Sequence, residues 1–254
     1  LRIQSGPLAS LPTSGMEGLT KISVLYLNFN RLTSFNIDVS LWPSLSRLVL
    51  SYNNLTIGGD HSIWKHAIIK GLMLNSNLGL ALPESADQLY LPQLSHLDIS
   101  NNSMAIPNYL SSAQLPSVAF LYINGNTIGT IPEEFSTLQS MLMLGIARCK
   151  LPNSSTLAKI ILPLKSLMYV DARDNSILRV GSNVKSMIAE NNIESYFSGN
   201  PACAIDKDLN CVSLCSRYCY STRHKDNKVC DLTCDSTECK NDNGECLKYD
   251  SAYK

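Results

Sequence analysis

At 254 residues the chain is long enough for one or two ordinary domains, and an apolar content of 44% is ample for a core. Its 21 basic and 21 acidic residues cancel, and only 17% of residues are charged, which excludes the basic footprint of a nucleic-acid binder and the cationic face of a membrane-surface helix. No stretch reaches the roughly 18 uncharged apolar residues of a spanning helix, so none is predicted within these residues.

The first element in chain order is a fragment of a pattern that recurs. Leu1, Ile3, Gly6 and Leu8 fill positions 4, 6, 9 and 11 of an eleven-residue motif. Complete copies follow, the clearest running from Leu45 to Leu55 with Leu45, Leu48, Leu50, Asn53 and Leu55 at positions 1, 4, 6, 9 and 11. Ile22, Leu25, Leu27, Asn30 and Leu32 match it upstream; Leu94, Leu97, Ile99, Asn102 and Met104, then Val118, Leu121, Ile123, Asn126 and Ile128, match it downstream. Position 9 falls at Gly6, Asn30, Asn53, Asn77, Asn102, Asn126, Cys149, Asn175 and Asn200, at intervals of 23 to 26 residues. Such regularity predicts a stack of coils, each burying its apolar side against its neighbours.

Each slot has a physical reason. Positions 4 and 6 alternate as in a strand and enter the core, leaving positions 3, 5 and 7 on the other face. The asparagine at position 9 is expected to satisfy buried backbone groups within its coil and the next, since each left unpaired costs about 1–3 kcal/mol. Cys149 in that slot is expected to be a buried thiol rather than half of a disulfide. The copy ending at Asn77 is weaker because Gly79 takes position 11, and the copy before Asn200 rests mainly on spacing. Between strands, Pro83, Pro107 and Pro132 each follow an apolar residue, which favours short 3₁₀ turns; the longest helix is expected over Thr156 to Leu167, interrupted by Pro163. His61 and His66 lack the spacing of a zinc helix and are expected at the surface.

The motif L-x-x-L-x-L-x-x-N/C-x-L resembles the leucine-rich repeat, and its I-P-x-x-F/L extensions resemble the plant type. The resemblance covers residues 1 to 200 and implies an α/β repeat solenoid, an arc with parallel strands lining a concave face. Because that array starts in mid-repeat with no polar cap, the amino end is expected to be truncated. The outward positions then form the expected reading surface for a protein, peptide or glycan: Tyr26, Asn28, Phe29, Tyr52, Asp98, Phe120, Tyr122, Asn124, Tyr169, Asp171 and Arg173. Tyrosine is suited to such contacts because it offers large area at low entropy cost. Sequons at Asn54, Asn101 and Asn153 are candidate glycosylation sites, and a glycan on Asn101 would stand at the edge of that face.

Eight of the nine cysteines lie between Cys203 and Cys246, a density that reads as a disulfide framework made in an oxidising compartment. Residues 201–214 resemble the disulfide caps of extracellular leucine-rich arrays, which implies a Cys203–Cys211 pair. From Cys215 the spacing changes, and residues 215–246, with NKVCDLTCDSTECKNDNGEC at 227–246, resemble the Notch-type repeat; residues 247–254 form a tail. Six cysteines allow 15 pairings; the resemblance implies Cys215–Cys239, Cys219–Cys234 and Cys230–Cys246. It also implies calcium as cofactor, held by Asn227, the Val229 carbonyl, Asp242 and Glu245, a hard-oxygen set suited to that ion. The usual Asp-Gly-Gly-Asp-Cys ending is Asp242-Asn243-Gly244-Glu245-Cys246 here.

No hydrolase elbow, phosphate loop, metalloprotease helix or dinucleotide fingerprint is present, so an enzyme is not expected. The combination resembles ectodomains of receptor-like surface proteins, implying extracellular recognition either as such an ectodomain or as a secreted inhibitor or adhesion protein of wall or matrix.

Overall fold

The computed structural model describes residues 1–12, 15–58, 61–152 and 154–211. The expected Notch-type module with its disulfides and calcium ligands, the tail, and the sequon residue Asn153 lie outside the described residues. The chain divides into two compact units, Leu1–Asn210 and Cys211–Lys254, and the first carries the repeats.

Its strands, in chain order, are β1 (Val24–Tyr26), β2 (Arg47–Val49), β3 (Thr56–Ile57), β4 (Gly71–Met73), β5 (Gly79–Leu80), β6 (His96–Asp98), β7 (Phe120–Tyr122), β8 (Met143–Gly145), β9 (Tyr169–Asp171) and β10 (Glu194–Tyr196). Eight of them form one parallel sheet in the order β1-β2-β4-β6-β7-β8-β9-β10. Position 4 pairs with position 4 throughout: Leu25 with Leu48, Leu48 with Leu72, Leu72 with Leu97. An isolated bridge between Arg2 and Tyr26 continues that register into the fragmentary first coil.

The eight strands of this sheet are three residues long for a local reason. Three residues past each strand of this sheet, and past the Arg2 bridge, the backbone turns left-handed at position 8: Ser5, Phe29, Tyr52, Ser76, Asn101, Gly125, Arg148, Asp174 and Gly199 all have φ between 54° and 74°. That turn aims the next side chain, the position-9 asparagine, under the sheet. Asn102 shows what it does there. Its Nδ2 donates to Ile99 O at 2.7 Å in its own coil and to Leu74 O at 3.2 Å in the preceding one, and its Oδ1 accepts from Asn77 N at 2.8 Å. Asn53, Asn77, Asn126, Asn175 and Asn200 repeat this bracing, so each coil is tied to its predecessor through buried polar groups.

Cys149 keeps half of that role. Its Sγ donates to Ile123 O at 3.3 Å, but a thiol has no carbonyl with which to receive the previous coil's N–H groups. The backbone there is rerouted: Ile128 N donates to Asn126 O and Gly129 N to Cys149 O, with Gly129 left-handed at φ 68°.

Leucine and isoleucine at positions 1, 4, 6 and 11 form the core, with Leu45, Leu48, Leu50 and Leu55 fully buried. Each such burial contributes about 1.5–3 kcal/mol. The two weak copies have compensations. At Gly79 the missing side chain lets the chain close on its neighbour, since a methyl there would stand 2.6 Å from Thr56 Oγ1 and 3.0 Å from Leu55 O; Leu80 is buried instead, and β3 pairs with β5. In the last copy Phe197, fully buried, fills position 6.

The return segments are 3₁₀ turns at Val39–Leu41, Ser62–Lys65, Ala86–Gln88 and Glu133–Thr137, as the prolines suggest. Helix α1 (Ser154–Ile161) stops two residues before Pro163 instead of reaching Leu167. Helix α2 (Ser182–Glu190) was not foreseen; Val184 and Met187, three apart, bury one face, and Lys185 pairs with Asp206 at 2.9 Å. A short α3 (Ala202–Ile205) follows. His66 corrects a second expectation: it is buried, its Nε2 3.3 Å from Trp42 O. His61 accepts from Ile63 N through Nδ1 at the start of a 3₁₀ turn, leaving Nε2 to donate to Phe35 O at 2.7 Å.

Candidate functional site

The face of the sheet turned away from the core carries positions 3, 5, 7 and 8 of every coil. The backbone of the strands beneath is committed to the ladder, so the chemistry of this face belongs to side chains.

Two aromatic pairs stand on it. Phe29 and Tyr52, both at position 8, stack with ring centroids 4.5 Å apart and planes within 10°, and are 50% and 41% exposed. Holding a bulky residue left-handed costs about 1–2 kcal/mol each, whereas the stack returns about 0.5–1.5 kcal/mol. Folding alone therefore does not explain the choice, because serine, asparagine, glycine, arginine or aspartate holds the same slot elsewhere. Further along, His96 and Phe120 at position 3 stack at 4.1 Å and 11°. Burial, and secondly the charge of Arg47, hold the His96 pKa below the ordinary histidine value. Arg2 lies 4.4 Å above the Tyr26 ring, a cation–π contact.

Glycines on this face are notches filled from the coil before. A methyl on Gly71 would meet Arg47 Nε at 3.2 Å, so Arg47 lies along the sheet toward His96. A methyl on Gly145 would meet Tyr122 Cδ1 and Asn124 Nδ2, each at 2.8 Å. Tyr122 thus lies flat across β8, its hydroxyl donating to Met143 Sδ at 3.6 Å. Burial first, then the charges of Asp98 and Asp171, push the Tyr122 pKa up to about 12.

The far end of the face is less open than its residue types suggest. Tyr169, Asp171, Arg173 and Asn124 are all buried, which corrects the expectation that they stand out toward solvent. Asp171 and Arg173 form a two-pronged pair, Nε–Oδ1 2.7 Å and Nη2–Oδ2 2.8 Å. Tyr169 leans on Tyr196 at 5.8 Å. The two aspartates also serve the backbone: Asp98 Oδ1 accepts from Ser100 N at 3.0 Å, and Asp171 Oδ1 from Arg173 N at 3.3 Å. Where position 5 is Gly145, Asn124 Oδ1 takes over and accepts from Ala147 N at 2.8 Å. Tyr26, Asn28, Asp98, Phe120 and Tyr122 are half-buried, leaving Phe29 and Tyr52 the most accessible of the expected contact residues. Arg2, Arg47, Gly71, His96, Gly145 and Tyr196 also shape the face; their places in the repeat frame were the available signal.

No family model matches the chain. Among solved structures, a leucine-rich-repeat protein of Leptospira interrogans aligns over 84% of this chain and 59% of its own at TM-score 0.65 and 20% identity. The functional domain of InlJ from Listeria monocytogenes aligns over 76% of this chain and 37% of its own at TM-score 0.56 and 18% identity. The fold is that of leucine-rich-repeat proteins. Among curated proteins, the Ras guanine nucleotide exchange factor V of Dictyostelium discoideum is 32% identical over 133 residues, 52% of this chain and 6% of that protein. Fibromodulin is similar too: 28% identity over 119 residues for Sus scrofa, 45% of this chain and 79% of that one, and 27% over 136 residues for Bos taurus, 52% and 34%. The matching stretch is thus a small fraction of the exchange factor and about a third of the bovine protein.

Cys203 and Cys211 are both disulfide-bonded, and Cys149 is a buried thiol. Asn54 is exposed and Asn101 half-buried. Among the described residues no helix is long and apolar enough to cross a membrane.

Proposed function

We propose that this chain is an extracellular recognition module that binds a protein or peptide on the open face of its leucine-rich sheet. The observation that carries the reading is the Phe29–Tyr52 stack, an exposed aromatic surface held in a backbone conformation that costs stability. An oxidising compartment is supported by the disulfide-bonded state of Cys203 and Cys211. Similarity to proteins as unlike as an exchange factor and fibromodulin supports reading the repeat body as a portable binding unit rather than a catalyst.

As a receptor-like ectodomain, the chain would use its Notch-type segment as a calcium-set spacer; as a secreted binder of wall or matrix it would act through the same face. Selection of a displayed random-peptide library tests the common part. The bait is the full chain, and the counter-bait is a Met73→Cys variant carrying a polyethylene glycol chain in mid-face. Peptides retained by the first and lost on the second are expected; binders indifferent to the block would overturn the reading.

A further inference from the structure

We propose that the amino-terminal half of the open face is a docking surface for an acidic peptide segment bearing aromatic or aliphatic side chains. The inference rests on the recognition reading above and adds the chemistry of the partner.

Charge is the first observation. At positions 3, 5, 7 and 8 the coils that carry β1, β2 and β4 present no acid: Val24, Tyr26, Asn28 and Phe29, then Arg47, Val49, Ser51 and Tyr52, then Gly71, Met73, Asn75 and Ser76. The fragmentary first coil adds Arg2. In a chain of zero net charge this acid-free stretch is local, and the first carboxylate met along the face, Asp98, is already bonded to Ser100 N. Both arginines are exposed and directed. Arg2 is fixed over the Tyr26 ring, and Arg47 lies along the Gly71 notch beside the Met73 methyl. Neither has a carboxylate partner among the ion pairs of the described residues.

Apolar shape is the second. The Phe29–Tyr52 stack makes a flat wall beside these cations, and Val49 and Met73 lie half-buried on the neighbouring strands. A bare polyanion would use the arginines and leave the wall wet; a neutral apolar peptide would leave the arginines unpaired. A segment alternating carboxylates with aromatic or aliphatic side chains satisfies both, because its carboxylates form charge-assisted bonds while its apolar groups cover the rings.

The probe is a fluorescein-labelled (Asp-Leu-Glu-Tyr)₃ peptide, with (Lys-Leu-Arg-Tyr)₃ and a sulfated heparin-type oligosaccharide as comparisons, titrated with the full chain and read by anisotropy. Saturable binding of the acidic peptide alone is expected, weakening as salt is raised. Phe29→Ser/Tyr52→Ser and Arg47→Glu should each weaken it at least tenfold. Serine already occupies the same left-handed slot at Ser5 and Ser76, so the aromatic variant keeps the fold, which its unfolding midpoint verifies. Equal binding of acidic and basic peptides, binding of the oligosaccharide in place of the peptide, or affinities untouched by the substitutions would overturn the proposal. Face-dependent library peptides without acid enrichment would sink this inference and leave the recognition reading standing; absence of face-dependent peptides would sink both.

Discussion

Asn102 offers the sharpest test of how the coils hold together. Its side chain is 2% exposed and answers four backbone groups: the Ile99, Ser100 and Leu74 carbonyls and the Asn77 N–H. Replacement by alanine takes the partner from the Asn77 N–H, whereas the Ile99, Leu74 and Ser100 carbonyls each lose one donor and keep another, from Asn126 Nδ2, Asn77 Nδ2 and Ser76 N. At about 1–3 kcal/mol for the unpaired N–H and about 1 kcal/mol for the lost bonds to carbonyls that keep another donor, the expected cost is about 2–4 kcal/mol. Asn102→Cys should cost less than the alanine variant, because the thiol at Cys149 shows that the bond to the preceding coil's carbonyl survives the exchange. Asn54→Ala, at an exposed position, is the control and should stay within about 0.5 kcal/mol. Equilibrium urea unfolding followed by circular dichroism gives all three values. Since stacked coils are stabilised by their interfaces, the alanine variant should also unfold less cooperatively. A cost below about 1 kcal/mol for Asn102→Ala would refute the claim that the asparagine ladder braces the stack.

Other expectations follow from the open face and the tail. Gly145→Ala should displace Tyr122 and Asn124, costing about 1–3 kcal/mol, and should bring the Tyr122 pKa down from about 12 toward the ordinary tyrosine value, read by ultraviolet absorbance against pH. Arg173→Met leaves Asp171 charged and buried, so thermal and urea unfolding should report a loss of about 3–5 kcal/mol. Because the folded-state pKa of His96 is lowered, its neutral form stabilises the fold fully above the ordinary histidine pKa; that contribution is lost as pH falls below it and levels off beneath the lowered value, a slope that His96→Phe should remove. Calcium is expected to bind the Notch-type segment, seen as heat in calorimetry and a higher midpoint of unfolding; absence of both would leave a disulfide knot without a metal.

The sequence by itself determined the coil frame. Strand positions, the asparagine ladder and the buried thiol of Cys149 were legible because each depends on residues within one coil or at one fixed interval, and a slot with a single physical role admits few residue types. The left-handed turn at position 8 was hidden, since residues as different as Phe29, Ser76 and Gly199 accept it once the hydrogen bonds on either side are made. Helix α2 was missed because only Val184 and Met187 mark its buried face in an otherwise polar stretch. What only the tertiary structure decided was exposure on the open face. Whether a tyrosine or arginine there meets solvent depends on its neighbour one coil away: Gly145 lets Tyr122 lie flat, and Gly71 gives Arg47 its path. Asp171 and Arg173, which look like contacts, neutralise each other instead. Repeat periodicity specifies which side of the sheet a residue occupies, whereas the packing of long side chains into the gaps left by small ones specifies what a partner would touch.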